Sequence, residues 1–367
     1  PMSKELTSTK VQGLAHIETP KFEGKDGAVT PSSEKPMVLV DPKTGKALGT
    51  SAPAMKDGKE VGTYTVDETT GKVTFTPNKD FTGTVDPIVV QVIEKATGKA
   101  IAGLKYTPTV TPVTPTGEDV TSTGKQGKVQ TGTPKFTEGD AEVPLKVDTD
   151  QPAKFVVNGT AVEDPTIDAT KEGAKVGTYT INPLSGEVTF TPNKDFVGTP
   201  DAVTVQVKDE NGTSVTAKYT PTVTAVTPTG EEATSTGKQG KVQTGTPKFT
   251  EGDAEVSLKV DADQPAKFIV NGTAVEDTTI DAMKDGAKVG TYTINPLTGE
   301  VTFTPNKDFV GTPDAAIIQV KDENGTSATA KYTPNVTAVT PTGEDVTSTD
   351  VQGKTQTAKP TFTEGDA

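Results

Sequence analysis

From Gly177 the chain alternates polar and apolar residues at period two through Tyr179 and Ile181. It does so again over Glu187-Val188-Thr189-Phe190-Thr191. That period predicts two strands, with Tyr179, Ile181, Val188 and Phe190 on one buried face and threonines on the other. Threonine is β-branched, so it favours a strand while keeping the outer face wet. Asn182-Pro183-Leu184-Ser185-Gly186 supplies the turn between them, and Pro192 ends the second strand because it donates nothing to a ladder.

Further pairs follow the same pattern. Phe155-Val156-Val157 meets Thr160-Ala161-Val162 across Asn158-Gly159, the signature of a type I′ hairpin. Val203 to Val207 meets Val215 to Tyr219 across Asp209-Glu210-Asn211-Gly212. Val143-Pro144-Leu145-Lys146-Val147 reads as an edge strand, since it tolerates Pro144. No segment has helical periodicity, although Asp168 to Lys175 allows one helical turn. Seven or eight short strands in about 110 residues predict a β-sandwich.

The pattern repeats. Pro115-Thr116-Gly117 returns at Pro228 and Pro341, each step being 113 residues, and Tyr106, Tyr219 and Tyr332 keep the same step. Residues 115–227 and 228–340 align without gaps and differ at 14 positions. The first copy is diverged, with Asp41-Pro42-Lys43-Thr44-Gly45 in place of Asn158-Gly159 and Lys95 to Lys99 in place of Glu210-Asn211-Gly212. Length changes at predicted turns are what surface loops allow. The expected organisation is a diverged repeat 1 at 1–114, repeat 2 at 115–227, repeat 3 at 228–340, and an incomplete fourth at 341–367. A period this long exceeds a solenoid unit, so each copy is expected to bury its own core. The junctions, Val110 to Gly117 and Val223 to Gly230, are short and contain proline, which predicts semi-rigid spacers and an extended rod of tandem Ig-like domains. Pro1-Met2 reads as the start of an expression product, so the chain is expected to be a fragment of something larger.

Composition then narrows the chemistry. Among 367 residues there is no Cys, no Trp and a single His, and the 36 cations stand against 50 acids for a net charge of −14. All 36 cations are Lys. Absent Cys excludes a disulfide framework and thiolate sites. One His excludes multi-His metal sites. An acidic chain without Arg does not suit nucleic acid. No apolar run reaches membrane-spanning length. Each 113-residue copy has modest apolar content, and the strict alternation decides in favour of folding.

Gly177 to Ile181 followed by Gly186-Glu187-Val188-Thr189-Phe190-Thr191-Pro192-Asn193-Lys194-Asp195-Phe196-Val197-Gly198-Thr199 resembles the CshA-type fibril repeat of streptococcal cell-wall-anchored surface adhesins. Val205 to Thr213, Tyr219-Thr220-Pro221-Thr222-Val223 and Pro228-Thr229-Gly230 fit the same pattern, in every copy. The resemblance implies a secreted, peptidoglycan-anchored stalk of a Gram-positive colonisation or virulence factor. It implies that adhesion to host matrix or partner-cell proteins resides in an amino-terminal region outside this chain. It implies no enzyme activity, no cofactor and no membrane insertion, with flanking repeats as the immediate partners. The alternative is a repeated ligand-binding module acting through multivalency.

Candidate sites are few, and no catalytic, cofactor or metal residue is assigned. Asp209-Glu210-Asn211-Gly212 and Asp148-Thr149-Asp150 offer oxygens for calcium, but no complete cation loop is present. Lys154 and Lys218 are candidates for a Lys–Asn crosslink, yet their strand parity points them outward. Glu163-Asp164 is a paired acid without a sugar-stacking platform. His16, matched by Gln130 in the next copy, reads as a surface residue. The Asn-x-Thr sequons at Asn158, Asn211 and Asn335 fall on turns or a repeat end. Val203 and Val215, placed inward, become Ala316 and Ala328 in repeat three, which predicts a less stable copy. Ile317 replaces Thr204 at an outward position and is a candidate for self-association.

Overall fold

A computed structural model describes residues 4–366. Pro1 and Met2, read above as the start of an expression product, lie outside the described residues, as does Ala367. The described chain is all-β, without a helix, and its sheets recur in tandem units of about 110 residues.

Repeat one runs β1 (Lys4–Val11), β2 (His16–Glu18), β3 (Phe22–Gly24), β4 (Gly27–Val29), β5 (Met37–Val40), β6 (Ala47–Gly49), β7 (Ser51–Lys56), β8 (Lys59–Val66), β9 (Val73–Pro77), β10 (Gly83–Thr84), β11 (Ile88–Ile93) and β12 (Ala100–Thr111). One sheet has the order β1-β12-β11-β5-β6, with β10 also on β12, and the other has the order β2-β9-β8-β7. β1 lies parallel to β12, pairing Lys4 with Leu104 through Val11 with Thr111, so the first and last strands of the repeat close against each other. The other pairs are antiparallel.

The core lies between the sheets. Leu39, Val90 and Tyr106 from the first meet Tyr64, Val66 and Phe75 from the second. The Tyr64 and Tyr106 rings meet edge-on, 6.0 Å apart, a preferred aromatic geometry. Repeats two and three keep both strand orders. Their core contains the predicted face: Tyr179, Ile181, Val188 and Phe190 are all buried.

The Asn158-Gly159 hairpin forms as expected, with φ of 52° and 79°, the left-handed pair that a type I′ turn requires. Val203 to Val207 pairs with Val215 to Tyr219 in the expected register. Three expectations fail. Asp168 to Lys175 is not helical. Thr166–Lys171 and Ala174–Ile181 form a hairpin around Glu172-Gly173, a second left-handed pair at 51° and 81°. The edge strand at 143–147 shrinks to Leu145–Lys146, with Pro144 outside the ladder and its carbonyl accepting Glu210 N–H. Ser257 at the same place in repeat three does likewise before an equally short strand, so the turn bond rather than the proline ends the ladder. Each repeat has twelve strands rather than seven or eight, many only two or three residues long.

The chain separates into two compact units. One holds the residues up to Thr123 with Val129–Thr191 and Thr199–Thr222. The other holds Gly124–Lys128, Pro192–Gly198 and the chain from Val223 onward. The division passes through repeat two.

Candidate functional site at the repeat junctions

The hairpin turn at Asp209 is built by its own carboxylate. Asp209 Oδ1 accepts the backbone N–H of both Asn211 and Thr213 at 2.9 Å, and the side chain is fully buried. This Asx-type turn uses Oδ1 alone and leaves Oδ2 buried without a hydrogen-bond partner. Asp148 also orders its own turn, with Oδ1 accepting from Asp150 and Gln151 at 2.9 Å. Among the described residues no group of three or more acidic or His side chains is placed to hold a metal ion.

What the carboxylate positions is Asn211. Its Nδ2 donates to the backbone oxygen of Gln12 at 2.9 Å, joining repeat two to repeat one within the first unit. Gln12 is buried and fully used. Its N–H bonds Thr111 O, its Nε2 donates to Lys79 O at 2.8 Å, and its Oε1 accepts Val113 N–H at 3.2 Å. Gly13 follows at φ 87°, and a Cβ there would stand 1.9 Å from Asn211 Oδ1. Only glycine gives both the conformation and the room.

The second unit contains the same device. Asn324, held by Asp322 Oδ1, donates to Gln126 O at 2.9 Å. Gln126 bonds Thr224 O, Lys194 O and Val226 N–H, and Gly127 at φ 81° leaves 2.0 Å between its absent Cβ and Asn324 Oδ1. Two ion pairs accompany it: Lys125 with Asp253 at 2.6 Å and Lys128 with Glu323 at 3.3 Å. The hydrogen bond to Lys125 holds the Asp253 carboxyl below its usual range, and Asp253 raises Lys125 in turn. Repeat one has Val11 and Leu14 where Lys125 and Lys128 stand, so the first junction lacks both cations.

In sequence Asn211 reads only as a turn residue on a sequon, and its neighbours do not mark the latch. The usable signal was the joint recurrence of Asp-Glu-Asn-Gly and Gln-Gly at the repeat period. Of the other sequons, Asn158 sits on its exposed turn, while Asn335 lies in the strand Ser327–Thr337 and accepts from Thr312 Oγ1 at 2.8 Å.

His16 is a correction. It is completely buried, with Nδ1 2.6 Å from Ser8 Oγ, which is itself 2.7 Å from the Tyr106 hydroxyl. Ser-Gln-Tyr trios stand at the same place in the later copies: Ser122, Gln130 and Tyr219, then Ser235, Gln243 and Tyr332. Since Gln serves equally, the trio is a core network rather than a nucleophile and base.

Lys154 points outward as parity required, and pairs with Glu163 at 2.6 Å. Asp164 accepts from Thr166 N–H, so the two acids have separate tasks. Lys218 is exposed, and its backbone N–H donates to Asp119. Val203 is buried, while Val215 is only half-buried though it faces Val207 on the same side. Ile317 is half-buried, not a free outward side chain. It lines a groove of about 640 Å³ with Ile269, Met283 and Tyr292.

Among solved structures, the chain is similar to the I9–I11 tandem of titin, at 11% identity over 92% of this chain and 98% of that one, with a TM-score of 0.32. It is similar to mouse cadherin-23 EC22–24 at 11% identity, covering 92% and 97%, TM-score 0.31. A tetra-tandem repeat from the extending region of a large adhesion protein matches at 13%, covering 92% and 76%, TM-score 0.24. The fold assignment rests on the strand orders rather than on these distant likenesses. No curated protein matches the chain. The model of the surface adhesin CshA repetitive domain matches three times, at residues 1–110, 112–223 and 225–336. These matches, in step with the recurring sandwich and its latch, show that the chain belongs to the family of the surface adhesin CshA repetitive domain.

Proposed function

We propose that the chain is a stalk segment of a bacterial surface fibrillar adhesin, carrying an adhesive amino-terminal region away from the cell wall. The observation that carries this is the Asn latch, present with the same bonds in each of the two units. A buried, fully bonded Gln and an Asn fixed by a buried Asp spend side-chain chemistry on joining neighbours. A tether whose only task is to connect would need none of it. The Pro-containing junctions and the acidic surface support the same reading, since they limit bending and keep parallel copies apart.

Small-angle scattering on arrays of increasing copy number tests it. The maximum dimension should grow linearly with the number of repeats. A compact particle, or a dimension growing with the square root of copy number, overturns the reading.

A further inference from the structure

The receptor half of the latch occurs a third time. Gln239 in repeat three donates its N–H to Thr337 O and its Nε2 to Lys307 O, and its Oε1 accepts Val339 N–H at 3.1 Å. Gly240 has φ 76°, close to Gly13 and Gly127. Lys238 is ion-paired with Asp366, as Lys125 is with Asp253. Around the Cβ position of Gly240 there is open space, where an Asn carboxamide stands at the other two. The receptor therefore takes its shape from its own repeat and not from its occupant.

The turns that could enter it are not alike. Repeats two and three present Asp-Glu-Asn-Gly on a buried Asp. Repeat one presents Glu94 to Lys99. Lys95 N–H bonds Glu34 O as Glu210 N–H bonds Pro144 O, which puts Ala96 where Asn211 stands. Glu94 is exposed, and its carboxylate accepts from Thr97 Oγ1 rather than ordering a carboxamide. Entering a Gln-Gly receptor, this turn would leave the glutamine carbonyl without its side-chain donor, at the cost of an unmade hydrogen bond.

We propose that the Gln239-Gly240 surface accepts the Asp-Glu-Asn-Gly turn of a further copy of repeat two or three and discriminates against the turn of repeat one. Latch and receptor then set which copies can follow which along the chain. Repeat one provides a receptor, through Gln12 and Gly13, but no latch. Anything that docks ahead of it uses other chemistry. The rule holds whether the array is a stalk or a multivalent binder, so a compact scattering envelope would overturn the stalk and leave this untouched.

The test extends the full chain beyond Thr340 with one more complete repeat. The added copy has the sequence of residues 228–340, or that of repeat one, or that of repeat one with its 94–99 turn exchanged for the 209–213 turn. Paired spin labels on repeat three and the added copy report the width of the distance distribution. A melting transition for each added copy confirms that it is folded. The repeat-three sequence should give a narrow distribution, repeat one a width at least twofold larger, and the turn exchange should restore the narrow one. Asn324→Ala should broaden the corresponding distance between labels on repeats two and three. Equal widths for the two added copies, or a turn exchange without effect, overturns the proposal.

Discussion

Nδ1 of His16 lies 2.6 Å from Ser8 Oγ inside the core of repeat one, and Nε2 of the same ring is buried without a partner. A charged imidazole needs an acceptor at each nitrogen, and here only one is offered. Burial, assisted by the charge of Lys10, pushes the His16 pKa down to about 4.

That shift makes repeat one acid-sensitive. The unfolded chain takes up a proton below the usual His pKa of 6.5, whereas the folded chain resists until about 4. Stability from neutral His16 is therefore complete above 6.5 and falls as pH drops through that window. Between pH 7 and pH 5 the loss should be about 1–2 kcal/mol. His16→Gln, which installs the residue of the other copies, should remove most of this slope. Calorimetry at the two pH values checks it, and an unchanged slope in the variant would refute the assignment.

Repeat three should be less stable than repeat two. Val203 is 3% exposed and becomes Ala316, while the half-buried Val215 becomes Ala328. Losing the buried methyls costs about 1–3 kcal/mol, offset in part by Val205 becoming Ile318. In the intact chain, hydrogen exchange should be faster over 301–336 than over 188–223. Ala316→Val should recover about 1 kcal/mol. Equal protection in the two segments would contradict the prediction.

The two junctions should respond differently to salt. Lys125–Asp253 and Lys128–Glu323 are surface pairs, and Val11 and Leu14 replace the cations at the first junction. Screening shortens to a few ångströms near 1 M salt. Label distances between repeats two and three should broaden with added salt, while those between repeats one and two stay constant. Acid should act in the same direction. The Asp253 carboxyl, held below its ordinary 3.8, is lost as an anion only when pH falls through that lowered value.

Asp322→Ala should loosen the latch without touching it. Two backbone N–H groups lose their acceptor, at a cost of about 2–3 kcal/mol. Removing divalent cations with EDTA should leave the melting temperature unchanged, because among the described residues no second and third acidic or His side chain joins Asp322 to complete a cation site. A drop on chelation would place an ion at Oδ2.

Strand and hairpin positions were legible because alternation is local. Tyr179, Ile181, Val188 and Phe190 announce their shared face within a dozen residues, and Asn158-Gly159 announces its turn. Asp168 to Lys175 misled because its turn carries Glu172, an uncommon residue at positive φ. Val143 to Val147 reads as a longer edge strand because the bond from Glu210 N–H to the Pro144 carbonyl, which takes that residue out of the ladder, comes from a turn more than sixty positions away. His16 misled because a polar residue says nothing about burial until its partners are known, and Ser8 and Tyr106 lie eight and ninety positions away along the chain.

The sequence by itself determined the repeat, the all-β character, the buried face of Tyr179, Ile181, Val188 and Phe190, and the family. These follow from period-two patterning and a 113-residue recurrence, both carried by neighbouring residues. The tertiary structure alone decided that an early strand of repeats one and three, Lys4–Val11 and Ala233–Lys238, runs parallel to the last strand of its repeat, that His16 is a core residue, and that Asn211 and Asn324 are latches. The partners in these contacts are distant in sequence, nearly two hundred positions for the latches. Their pairing depends on where two separate loops meet once both sandwiches are closed. A carboxamide on a turn reads the same in sequence whether water or a neighbouring repeat accepts its hydrogen bond.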